Sequence, residues 1–218
     1  RVVHVPRYSD VGPVFEDETK RLARAGESEI LLMTDLGLEE QTIAGLKKFA
    51  AMNRRREDGR KHRLVVLDHH ASSLDQLRRQ GLEPVADPER PGLSRIDLGD
   101  PDCTLLIDET VCATRMAFDH RALFATHEPD TDLTALLAAI DAVDLWRKDS
   151  PAFPGGLALD ELFWESVSSF VPVGHPWHET FMSGLLRAAA VSLREGATPA
   201  DLERRALAIR SDVVETLL

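Results

Sequence analysis

Short apolar runs that each close on a carboxylate constrain this chain more than any other feature. Ile30-Leu31-Leu32-Met33 leads into Thr34-Asp35, Leu64-Val65-Val66-Leu67 into Asp68-His69-His70, and Thr104-Leu105-Leu106-Ile107 into Asp108. Continuous apolar strands need a sheet covered on both faces. Amphipathic stretches separate them: Pro13 to Ala25, Glu39 to about Arg56, and Ser73 to Gln80, with Gly26, Gly59 and Gly81 beyond their ends. A further helix is predicted from about Thr110. Strands alternating with helices predict an α/β fold, a parallel β-sheet flanked by helices with right-handed crossovers. Such folds gather reactive groups beyond the carboxyl ends of the strands. Asp35 and the Asp68-His69-His70 triplet fall at those ends.

After residue 130 the pattern turns helical. Helices are predicted over Thr131 to Trp146, over 160–170 and over Trp177 to Leu193. Pro151 to Leu159, with Gly155-Gly156, reads as a loop, and Val171 to Pro176 as a break. Thr198-Pro199 opens a last helix with the stripe Leu202, Ala206, Ile209, Val213 and Leu217. Val2 to Val5 reads as a strand. The expected organisation is an α/β catalytic part over residues 1–150 and a mostly helical extension with a linker helix over 151–218, both in one domain.

A formal net charge of -11 argues against a broad duplex-binding face. It suits a small anionic substrate held through metal ions, since hard cations are held by carboxylate oxygens. The two cysteines form no CxxC pair, which excludes a disulfide framework and a zinc knuckle. A reducing, cytoplasmic setting is expected. No apolar run approaches the roughly 20 residues of a membrane helix.

Three places carry chemistry. Asp35 directly follows a strand, although alone it fits a helix cap or an Asx turn as readily. In the triplet, two imidazoles suit Mn, Zn, Fe or Co, and a neighbouring carboxylate can fix an imidazole tautomer. Asp144 falls near the centre of the stripe Leu133, Leu136, Leu137 and Ile140, with Asp141 at its edge, unless that helix ends before it. A carboxylate on a buried face needs a cationic partner. Arg115, in the helix after Asp108, could reach a phosphate. The basic run Arg54-Arg55-Arg56 with Arg60, Lys61 and Arg63 reads as a solvated helix end, His4 as a core or edge histidine, and Trp146, Trp164 and Trp177 as core.

These residues resemble the DHH phosphoesterase superfamily, which includes RecJ-type exonucleases, nanoRNases and manganese pyrophosphatases. The matching pieces are Leu31 to Asp35, Val65 to His70, Cys112 to Phe118, and Ala139 to Trp146, in order over roughly residues 1–150. The resemblance implies that Asp35 bridges two metals and that His69 and Asp144 ligate one of them. It implies that Asp68 orients the site and that His70 contacts the scissile phosphate. It also implies two divalent ions, with Mn2+ first and Mg2+ or Co2+ as alternatives. The implied activity is hydrolysis of phosphodiester bonds in short oligonucleotides, linear or cyclic dinucleotides, or single-stranded ends. Asp144-Leu145-Trp146 is similar to the nanoRNase-like branch. The family's HxDxDG-like first motif is absent from this sequence, as is its C-terminal substrate-binding domain. Upstream residues and a further domain are therefore expected outside it, and a homodimer stays open. A pyrophosphatase-like hydrolase and a non-catalytic nucleotide-binding module are the rival expectations.

Overall fold

The structure, a computed structural model, describes residues 5, 8–56, 59–125, 132–169, 178–198, 200–202, 204, 205 and 208. The strand expected over 2–5 lies, apart from Val5, outside these residues, as do His4, Trp177 and most of the last helix. Contacts divide the chain into two compact units, one within residues 5–126 and the other within 127–218 together with 1–4.

The first unit runs α1 (Tyr8–Arg24), β1 (Ile30–Thr34), α2 (Glu40–Arg54), β2 (Arg63–Asp68), α3 (Ala71–Arg79), β3 (Val85–Ala86), β4 (Leu93–Ile96), β5 (Cys103–Asp108) and α4 (Ala113–Asp119). The five strands lie in the order β1-β2-β5-β4-β3. β1, β2 and β5 are parallel, with Thr34 beside Leu67 and Asp68 beside Ile107. Their carboxyl ends therefore share one edge of the sheet. β4 runs antiparallel to β5, with Leu93 opposite Asp108, and β3 runs antiparallel to β4. The sheet is thus the expected α/β sheet with a parallel core, and the short antiparallel strands β3 and β4, which no expectation covered, extend it beyond β5. The short connection from Asp87 to Gly92 has no room for a crossover of about a dozen residues. It turns instead on Asp87, whose carboxylate accepts from the backbone N–H of Glu89 and Arg90.

Alternation along the strands divides the core between two faces. Leu64, Val66, Leu105 and Ile107 pack with Phe15 and Leu22 of α1, Ile43, Leu46 and Phe49 of α2, and Leu74 and Leu77 of α3. Val65, Leu67, Leu93 and Leu106 pack with Met116 of α4. Each such side chain, fully buried, stabilises the fold by roughly 1.5–3 kcal/mol. These layers fix β1, β2 and β5 side by side, so the residues just past their ends are held as neighbours.

The second unit contains α5 (Thr134–Asp144), α6 (Phe153–Ser169) and α7 (His178–Arg194). Its core includes Leu136, Ala139, Leu159, Leu162, Phe181, Leu185 and Ala189. Here the expected loop over 151–159 is overturned, because α6 begins at Phe153 and passes through Gly155-Gly156. The two glycines serve close packing: a Cβ on Gly156 would stand 2.1 Å from the Ala139 carbonyl oxygen, and one on Gly155 would stand 2.8 Å from Leu193 Cδ2. Thr198 does cap a helix as expected, since the Asp201 carboxylate accepts from its N–H and its hydroxyl accepts from Asp201 N–H. Among the described residues no helix is long and apolar enough to cross a membrane.

Candidate metal centre

Asp35 is the first residue past β1 and has φ +58°. Its N–H donates to the Leu67 carbonyl at 3.1 Å, so the ladder to β2 holds it in place. A left-handed backbone is tolerated by aspartate better than by most residues. Here it ends the strand abruptly. From this turn Asp35 Oδ1 lies 3.1 Å from His69 Nε2. The His69 and His70 rings sit 4.5 Å apart, tilted by 47°. One ligand atom from each of Asp35, His69 and His70 can be chosen so that all three lie within 4.8 Å of one another.

Asp68 is fully buried beneath them. Its Oδ1 is 2.7 Å from His70 Nδ1, and its Oδ2 accepts from Ser73 Oγ at 2.5 Å. A carboxylate there assigns the proton of His70 to Nδ1, which leaves the Nε2 lone pair for a metal or a proton. Ser73 Oγ in turn accepts from Leu38 N–H at 2.9 Å. One hydroxyl therefore ties the segment after Asp35 to the buried carboxylate below the histidines. Ser73 was missed by sequence reasoning, and its only signal is a hydroxyl in the first turn after the triplet.

The hydrogen bond from His69, ahead of all other effects, holds the Asp35 carboxyl below the usual carboxylate range, although burial pushes the other way. The group is a carboxylate at neutral pH and an acceptor for a cation. Two ligands about 2.1 Å from one ion, at tetrahedral or octahedral angles, stand roughly 3.0–3.4 Å apart. The 3.1 Å between Asp35 Oδ1 and His69 Nε2 has that spacing. Two imidazoles with a carboxylate suit Mn, Fe, Co or Zn better than Ca. The residues therefore fit a divalent transition metal.

The third strand-end carboxylate is neutralised differently. Asp108, fully buried, accepts from Thr110 N–H and Oγ1 at 2.9 and 2.6 Å, and Arg90 Nε stands 3.0 Å from its Oδ2. Arg90 Nη2 also donates to Asp119 at 3.2 Å. Arg115, proposed from sequence as a phosphate contact, sits on α4 with Nε 3.0 Å from Asp119 Oδ1.

Asp144 belongs to the second unit, as the last residue of α5. The burial expected of it is corrected: Asp141 is the buried carboxylate, bound by Arg147 Nη1 at 2.6 Å, while Asp144 is exposed. The helix reaches Asp144 and stops two residues short of the expected Trp146, and its last residue is left exposed although the apolar stripe was extended through it. The structure thus brings together Asp35, Asp68, His69 and His70, and places Asp144 and Arg115 on other elements.

No family model and no curated protein matches this chain. It is similar in fold to the crystal structure of an uncharacterized protein from Helicobacter pylori G27, at 18% identity and a TM-score of 0.55. That match covers 94% of this chain and 51% of the other, so the chain spans about half its length.

Proposed function

We propose that the protein is a metal-dependent phosphoesterase that hydrolyses phosphodiester bonds in short oligonucleotides, linear or cyclic dinucleotides, or single-stranded ends. One observation carries this reading: Asp35, His69 and His70 converge at the carboxyl edge of the parallel strands, braced from below by Asp68. A divalent ion, Mn2+ in the first instance, would supply Lewis acidity toward a phosphoryl oxygen and lower the pKa of a bound water. The chain's own residues do the rest. Asp35 and His69 hold the ion, His70 presents Nε2 toward the phosphate, and Asp68 keeps that imidazole oriented. A ligand role for Asp144, a phosphate contact for Arg115 and a second ion rest on the resemblance of their sequence segments.

A second reading is a non-catalytic nucleotide-binding module. It is favoured by the single three-ligand cluster found among the described residues, where a two-ion centre needs more. The deciding experiment gives the full-length gene product a 5′-phosphorylated dinucleotide with Mn2+, and pyrophosphate in parallel. Mononucleotide release that EDTA stops, and that Asp35→Asn abolishes without unfolding the chain, is the expected result. Release of phosphate from pyrophosphate alone would replace the diester reading. Silence on both substrates would favour the binding module.

A further inference from the structure

We propose that Ser73 is a positioning residue of the metal centre, setting the turn that carries Asp35 against the turn that carries His69 and His70, an inference that rests on the metal-dependent reading above. The two turns follow different strands, Asp35 after β1 and the histidines after β2, and 34 positions separate Asp35 from His69 in the chain. Something other than the covalent chain must keep them in step. Ser73 is fully buried in the first turn of α3, and its N–H donates to the His70 carbonyl at 3.0 Å, which fixes it against the second turn. A serine in a first helical turn commonly caps the helix or bonds back to it. The Ser73 hydroxyl does neither, and α3 has no side-chain cap. It accepts from Leu38 N–H at 2.9 Å and donates to Asp68 Oδ2 at 2.5 Å.

The direction of these bonds follows from the groups themselves. A backbone N–H can only donate, so the hydroxyl accepts from Leu38 and its single proton goes to Asp68. The other oxygen of Asp68 lies 2.7 Å from His70 Nδ1. One line of hydrogen bonds therefore runs from the Asp35 turn through Ser73 to the buried carboxylate and the imidazole above it. The Asp35 turn is thus bonded at both ends: Asp35 N–H donates to the Leu67 carbonyl at 3.1 Å, and Leu38 N–H to Ser73. Leu38 itself, 2% exposed, packs into the core. Without the hydroxyl, Leu38 N–H and Asp68 Oδ2 each lose a buried partner. Of its two anchoring bonds the turn then keeps only the one at Asp35. The 3.1 Å between Asp35 Oδ1 and His69 Nε2 suits one ion, and a shift of about 0.5 Å is enough to spoil such a site. Ser73 is not itself a ligand, because its hydroxyl is engaged by Leu38 and Asp68.

The test uses the full-length gene product, titrated calorimetrically with Mn2+ and followed by visible absorption with Co2+, whose bands report coordination geometry. Ser73→Ala is expected to weaken Mn2+ binding by about tenfold and to alter the Co2+ spectrum. Ser73→Thr, which keeps the hydroxyl, should restore both. Ile96→Val, on β4 opposite Leu105 and away from the carboxyl edge, should lower the melting temperature and leave both unchanged. That control separates positioning from loss of stability. If the alanine variant fails to fold, Ser73→Cys takes its place, since a thiol is a weak donor, and is expected to weaken binding in the same direction. Parent affinity and an unaltered spectrum in a folded Ser73→Ala chain would overturn the role. So would equal losses of affinity in Ser73→Ala and Ile96→Val. A parent that binds neither ion overturns the metal centre and Ser73 with it. Ser73-dependent binding in a protein that hydrolyses no phosphodiester sinks the phosphoesterase reading and leaves the positioning role standing.

Discussion

At the scale of single residues, the buried Asp68 is the centre of the arrangement. It accepts from both His70 and Ser73, and an asparagine in its place could not accept both on equivalent oxygens. Asp68→Asn should cost about 1–3 kcal/mol in urea unfolding. It should also weaken Mn2+ binding by about 10- to 100-fold in a calorimetric titration. Unchanged affinity would remove Asp68 from the site. A second titratable group lies away from the metal cluster. Burial, and then the neighbouring Arg90 guanidinium, holds the His120 imidazole below its usual value, and its buried Nε2 has no hydrogen-bond partner among the described residues. The folded chain then binds fewer protons at His120 than the unfolded one. The stability it contributes is present above the ordinary imidazole pKa of about 6.5 and lost as pH falls through the folded value. Chemical unfolding at pH 7 and pH 5 should show a smaller loss for His120→Gln than for the parent, and equal losses would contradict this. At this scale the triplet and Asp35 were legible because their position at strand ends follows from hydrophobic runs alone. Ser73 and the Arg90–Asp108 pair were not, because each depends on which loop folds back over the sheet edge.

At the scale of elements, glycine carried two meanings that one-dimensional reading merges. Gly155-Gly156 looked like a loop and is the seam along which α6 packs on α5 and α7. The Gly156 approach to the Ala139 carbonyl leaves no space for a methyl group, so Gly156→Ala should destabilise the helical unit by about 1–3 kcal/mol or more. Gly184, inside α7, has nothing within 4 Å of its missing Cβ, so Gly184→Ala should stabilise by about 0.5–1 kcal/mol. Thermal unfolding of the two variants side by side checks both signs. The same limit explains Asp141 and Asp144. Periodicity located the apolar face of α5, but which carboxylate of its last turns is buried depends on what packs there: Asp141 is buried and bound by Arg147, and Asp144, one turn on, is exposed. The β3–β4 ribbon escaped notice because its strands are short and interrupted by a turn rich in proline and charge, where no alternation can accumulate.

At the scale of the whole molecule, binding of an ion to the folded chain alone must raise its stability. At an ion concentration about 100 times the dissociation constant the gain is about 2.7 kcal/mol. For a chain of this size that is a rise in melting temperature of about 5 °C or more, read by scanning calorimetry with Mn2+ against EDTA. No shift would mean that Asp35, His69 and His70 do not hold the ion. The two cysteines give this equilibrium a second clock. Cys103 and Cys112 are both buried and both lie in the α/β unit, and burial pushes the Cys103 thiol up to about 12. A thiol that is both inaccessible and protonated is inert toward an alkylating or disulfide reagent until the surrounding sheet opens. The rate of covalent labelling therefore times the opening of the sheet-bearing half of the described chain and is blind to fraying of its helical half. Metal added before the reagent should lengthen that delay, so a pair of side chains with no part in the chemistry becomes an internal stopwatch for the site.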